Sequence, residues 1–166
     1  MNLKALGLLA ATLFTSQAVF AHHHGDHGDH KQASDFKGES QAIGNGITIE
    51  HARAKETIPG VKVGAGYFTI TNNSDKTIEL VSAKTSIAEH TEIHRMFMRD
   101  SKMAMRKVDS IEIEANSTFD LTPGGYHLMF MMLTQRLTAG ETMDLELTFS
   151  NGVSATINMP VIKAKQ

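Results

Sequence analysis

From Gly46 to Ile162 the chain runs in short stretches of alternating apolar and polar residues, each closed by turn formers. A two-residue period places successive side chains on opposite faces. Each stretch therefore fits a half-buried strand, and none fits a helix. The stretches predicted as strands are 46–50, 66–71, 77–83, 89–98, 103–108, 111–113, 118–121, 126–133, 142–149 and 154–162. Asn72-Asn73-Ser74-Asp75 stops one of them, and Arg99-Asp100-Ser101-Lys102 and Asn151-Gly152 join others as hairpins. Strands this short and this evenly spaced predict an all-β domain, an antiparallel Greek-key sandwich or barrel. With no cysteine in 166 residues, no disulfide staples it, so the fold must rest on its core.

The segment before this domain reads differently. Lys4 precedes an apolar run from Ala5 to Phe14, and Val19-Phe20-Ala21 offers small residues for cleavage. These are the marks of a secretory signal over residues 1–21, with an apolar run too short for a membrane span. Export to an oxidising compartment, a bacterial periplasm, is expected. Residues 22–41 are polar and without apolar period, and read as a flexible histidine-rich tail. The folded domain is expected over 42–166. The net charge of −2 implies no basic surface and argues against nucleic acid as a partner.

Two counts stand out: ten Met and nine His. Strand alternation sorts them by face. In 126–133, His127, Met129 and Met131 share one face, while Leu128, Phe130 and Met132 take the other and are expected inside. In 89–98, His90, Glu92, His94, Met96 and Met98 share a face. Met103 and Met105 lie together on the next strand. Met132, Met143 and Met159 fit core roles, Met98, Met103 and Met131 could shield a site, and His51 and His90 fit an ordinary surface.

Thioether sulfur is soft and uncharged, and imidazole is borderline, so a His–Met set favours copper(I) over the hard ions. Methionine also avoids the disulfide chemistry that exposed thiols undergo in an oxidising compartment. A blue-copper electron carrier needs a cysteine ligand, which this chain lacks. No nucleophile–base motif or phosphate loop appears, so no enzyme is expected.

His94 is followed by ten residues and Met105, then by twenty-one residues and His127-Leu128-Met129. This spacing, with the flanks Glu92-Ile93-His94-Arg95-Met96 and Leu121-Thr122-Pro123-Gly124-Gly125-Tyr126, resembles the periplasmic copper chaperones of the PCuAC type. The resemblance runs from about residue 43 to 162. It implies a cupredoxin-like β-sandwich and copper(I) ligands at His94, Met105, His127 and Met129; Met96, on the same strand face as His94, is a secondary candidate. It implies delivery of copper to the CuA centre of cytochrome oxidase, so the expected partner is oxidase subunit II or another copper-accepting chaperone. The alternative from a different class is a periplasmic copper storage or resistance protein.

The tract HHHGDHGDH adds a separate possibility. Cleavage after Ala21 makes His24 the third residue of the mature chain. A free amine, two backbone amides and that imidazole form a square-planar set suited to copper(II). A second, copper(II)-type site is therefore expected among His22, His23, His24, His27 and His30. A histidine-first chain could also brace copper for oxygen chemistry, but only on a rigid surface, which a flexible tail does not provide.

Overall fold

The structure, a computed structural model, describes residues 39–163. The signal segment and the candidate tail ligands His22, His23, His24, His27 and His30 lie outside the described residues. Eleven strands follow in order: β1 (Gln41–Gly44), β2 (Ile47–Lys55), β3 (Val63–Asn72), β4 (Ile78–Lys84), β5 (Ala88–Arg99), β6 (Lys102–Val108), β7 (Ile111–Ile113), β8 (Ser117–Asp120), β9 (Tyr126–Leu133), β10 (Thr142–Phe149) and β11 (Ser154–Ile162). No helix among the described residues is long and apolar enough to cross a membrane.

The strands pair in the order β6-β5-β9-β3-β2-β11-β10-β4-β7, with β1 added to β2 and β8 added to β3. Every pairing is antiparallel except one. β11 meets β2 in parallel, Val161 beside Ala54 and Ile162 beside Lys55. That junction joins two halves whose inner faces share one apolar cluster. Phe68 and Phe130 come from one half, and Leu80, Leu145, Leu147 and Phe149 from the other. Fully burying side chains of this size contributes about 1.5–3 kcal/mol each, which is how a cysteine-free chain holds together.

A buried asparagine ties the end of β3. Asn72 Nδ2 donates to the carbonyls of Lys76 (2.8 Å), Ile113 (3.2 Å) and Glu114 (3.0 Å). Its Oδ1 accepts from the Ser74 hydroxyl at 2.7 Å and the Ser74 amide at 3.1 Å. The predicted turn at 72–75 is thus also a clasp onto β7.

Three details depart from simple alternation. Strand β1 precedes the predicted series, and the Gln41 side chain pairs with both backbone groups of Asn158, as a strand residue would. β2 continues past Glu50 to Lys55 because His51 takes a left-handed φ of 55° and shifts the register before Arg53. Ala52 and Ala54 then turn inward on the same face as Ile47 and Ile49, one residue out of phase with them.

Met132, expected inside, is 49% exposed. Its φ of 54° breaks the two-residue period, and Leu133 takes the inward place instead. Met143 and Met159 are core residues, as their positions predict.

Candidate metal centre

The site is built on three neighbouring strands, β6, β5 and β9. Ile93, Leu128 and Phe130 face the core, so alternation puts His94, His127 and Met129 on the opposite face. His127 is the second residue of β9, directly after the turn Thr122-Pro123-Gly124-Gly125. Proline presets φ at the second position of that turn, and Gly124 supplies the left-handed third at φ 83°. The Gly125 amide closes it onto Thr122 O at 3.0 Å.

Cross-strand register aligns the candidates. His94 stands directly opposite His127, with ring centres 6.0 Å apart and planes tilted by 49°. Metal–imidazole bonds of about 2.0 Å allow two rings on one ion to have centres up to about 6.3 Å apart. The observed separation lies just inside that limit, so a shared ion would sit nearly in line between the two nitrogens. Both histidines are nearly buried, at 9% and 7% exposure.

Each imidazole is held by one nitrogen. His94 Nε2 lies 2.8 Å from Glu92 Oε2, and the carboxylate can only accept, so Nε2 carries the proton. His94 Nδ1 is then a bare lone pair, buried and without a hydrogen-bond partner. His127 Nδ1 lies 3.2 Å from Gly125 O, a carbonyl that can only accept, so Nδ1–H donates. That leaves the His127 Nε2 lone pair as its donor atom. A carboxylate or carbonyl behind an imidazole fixes the tautomer and strengthens the ligand. Lys107 Nζ donates to Glu92 Oε1 at 3.1 Å. The His94 N–H and then the Lys107 ammonium hold the Glu92 carboxyl below the usual carboxylate range.

The methionines share this face, on the strands of the pair and on the neighbouring strand β6. Met129 follows His127 by two residues on the same face, opposite Glu92 of β5 and Ala65 of β3. It is diagonal to His94 across one strand gap. Met105 stands opposite Met96, diagonal to His94 on the other side, two strands from His127. Met96 follows His94 by two residues and so lies as near to it as Met105 does. Met98 and Met103 pair further out at the hairpin tip. Met131 stands opposite His90 on the same face, beyond Met129.

Several contributors were not assigned from the sequence. Glu92 shared a face with His94 and was legible to that extent. Lys107 was not, since its place depends on the β5–β6 register. Tyr67 of β3 flanks His127 with ring centres 6.4 Å apart, and the Arg53 guanidinium lies 5.5 Å from the Tyr67 ring centre. Burial raises the Tyr67 phenol above its ordinary value, and Arg53 pulls it back in part. Among the described residues, no three His, Cys, Asp or Glu side chains are grouped to hold an ion. Two imidazoles remain, with Met129, Met96 and Met105 one register step from one or the other, residue types that suit a soft ion.

A family model described as "Putative lipoprotein LpqE-like" matches residues 47–161. The relative named "Putative lipoprotein Lxx21020", from Leifsonia xyli subsp. xyli, is 30% identical over 118 residues, 70% of each chain. Among solved structures, the "Copper-bound PCuAC domain from PmoF2" superimposes with a TM-score of 0.65 at 21% identity, covering 76% of this chain and 99% of that one. The solution structure of CuI-DR1885 from Deinococcus radiodurans gives 0.57 at 29% identity, covering 69% and 77%. The fold is therefore the cupredoxin-like β-sandwich of PCuAC domains. By the extent of these matches, the chain belongs to the LpqE-like family.

Proposed function

We propose that this protein is a periplasmic copper(I)-binding metallochaperone, without catalytic turnover, that passes its ion to an acceptor such as cytochrome oxidase subunit II for assembly of the CuA centre. His94 Nδ1 and His127 Nε2 supply two nitrogens, and Met129 and Met105 supply sulfur. The carrying observation is the pair of facing imidazoles, each pinned by one nitrogen and presenting a lone pair on the other. The copper-bound PCuAC domain and the CuI-DR1885 structure, which share this fold, add support.

Ligand chemistry favours carriage over permanent residence. All four proposed donors are neutral, and no thiolate binds the ion tightly. Glu92 and Gly125 hold the imidazoles ready, so little reorganisation is needed to load or unload. Exchange with a thiolate-bearing acceptor then runs downhill for copper(I). A histidine tract at residues 22–30 adds a copper(II)-type site in this proposal.

X-ray absorption on the copper(I) form, followed by mixing with the apo CuA domain, tests both halves. Mixed nitrogen and sulfur scattering, then copper appearing in the acceptor, is the expected result. Nitrogen and oxygen scattering alone removes the thioether site. Retention of several copper ions with no transfer would instead favour the storage or resistance role.

A further inference from the structure

Beyond His94, the outward face of the β5–β6 hairpin carries four methionines and little else. Met96 stands opposite Met105, and Met98 opposite Met103. Members of each pair lie about 5 Å apart, and the two pairs are about 7 Å apart along the strands. The four Cα atoms thus bound a rectangle whose centre is about 4 Å from each, within reach of thioether sulfurs that bond a metal at about 2.3 Å.

Packing does not account for this square. Met98 is 62% exposed, Met103 53% and Met105 46%, with Met96 half-buried. None belongs to the apolar core, in which Met143 and Met159 are the methionines. The opposite face of the hairpin is no core either. There the Arg106 guanidinium lies over Phe97 at 5.4 Å and that of Arg95 over Tyr126 at 5.3 Å. Exposed apolar side chains gathered in this way mark an interaction site. The type I′ turn at Asp100-Ser101, with φ of 49° and 61°, fixes the register that makes the pairs.

Resting on the copper(I) reading above, we propose that Met96, Met98 and Met103, with Met105 shared between them and the inner site, form a second copper(I) site, made of sulfur alone, through which the ion moves between the hairpin tip and the His94–His127 pair. Soft thioethers select the monovalent ion and reject calcium, magnesium and zinc. Arg99 and Lys102 pair at the hairpin tip and disfavour a resident cation there, whereas the Glu92 carboxylate lies behind His94, so the square holds copper less tightly than the inner pair. Met105 borders both sets, so the ion changes partners stepwise and is never released to water.

The test is an anaerobic titration of the full mature chain with copper(I), observing methionine methyl and histidine ring resonances by NMR. The first equivalent should shift the His94 and His127 rings. A further equivalent should shift the Met98 and Met103 methyls. Met98→Leu/Met103→Leu, which keeps volume on an exposed surface, should retain the ring shifts and lose the second binding step. Ring shifts with still Met98 and Met103 methyls overturn the second site and leave the first intact. Silence from both rings and methyls overturns the copper reading and the square with it. Methyl shifts without ring shifts support the square and remove the inner pair.

Discussion

His94 and His127 face each other across β5 and β9 with ring centres 6.0 Å apart, and each has one nitrogen committed to an oxygen of the protein. The arrangement fixes two tautomers before any ion arrives. It also makes the oxygens behind the rings as consequential as the rings themselves.

Glu92→Gln keeps the side-chain shape and removes the charge behind His94. Copper(I) affinity at neutral pH should fall by about 10-fold or somewhat more, as for other groups that orient a metal-bound histidine. Competition with a chromophoric chelator measures it. The folded carboxyl lies below its ordinary value, so Glu92 stabilises the native state most fully above the ordinary carboxylate pKa of about 4.3. That contribution is lost as pH falls through the lowered folded value. The melting-temperature gap between wild type and variant should therefore be widest near neutrality and close in acid. A gap that widens below pH 4 contradicts the assignment.

Met129→Leu should weaken copper(I) binding more than Met105→Leu does. Met129 lies on the strand of His127 and diagonal to His94, whereas Met105 neighbours only His94. We expect a loss of about tenfold or more, about 1.4 kcal/mol, for the first variant. Leucine preserves volume, so the circular dichroism spectrum should stay unchanged. Equal losses would place Met105 closer to the ion than the register does.

Asn72→Asp removes the amide that serves three backbone carbonyls at the end of β3. A buried acceptor left unpaired costs about 1–3 kcal/mol. Urea unfolding should show a total loss of about 3 kcal/mol or more. A loss below about 1 kcal/mol would mean that solvent replaces the clasp.

Gly66→Ala places a Cβ 2.8 Å from Phe130 Cζ and 3.2 Å from Met159 Sδ. Both are core side chains with little room to yield, so about 1–3 kcal/mol of overpacking is expected. Thermal melts of the metal-free protein should report it.

Much of this architecture can be read from the chain. The bounds of β7, β9, β10 and β11 follow from alternation together with the turn residues that close each stretch. So does the common face of His127 and Met129, because a period of two needs no partner strand. What escapes are features fixed by neighbours or by single backbone angles. One left-handed residue, Met132, reversed the inward position at the end of β9. The parallel meeting of β2 and β11 leaves no mark in either strand. Lys107 and Tyr67 reach the site through cross-strand register, which no local pattern encodes.

The carbonyl of Gly125 accepts from two donors, the Met96 amide at 3.1 Å and the His127 imidazole at 3.2 Å. One oxygen atom therefore couples the posture of the methionine hairpin to the proton position on an imidazole. An outward shift of the hairpin that draws on the Met96 amide draws on the same oxygen that holds that ring. The stance of the hairpin and the orientation of the imidazole become a single mechanical variable.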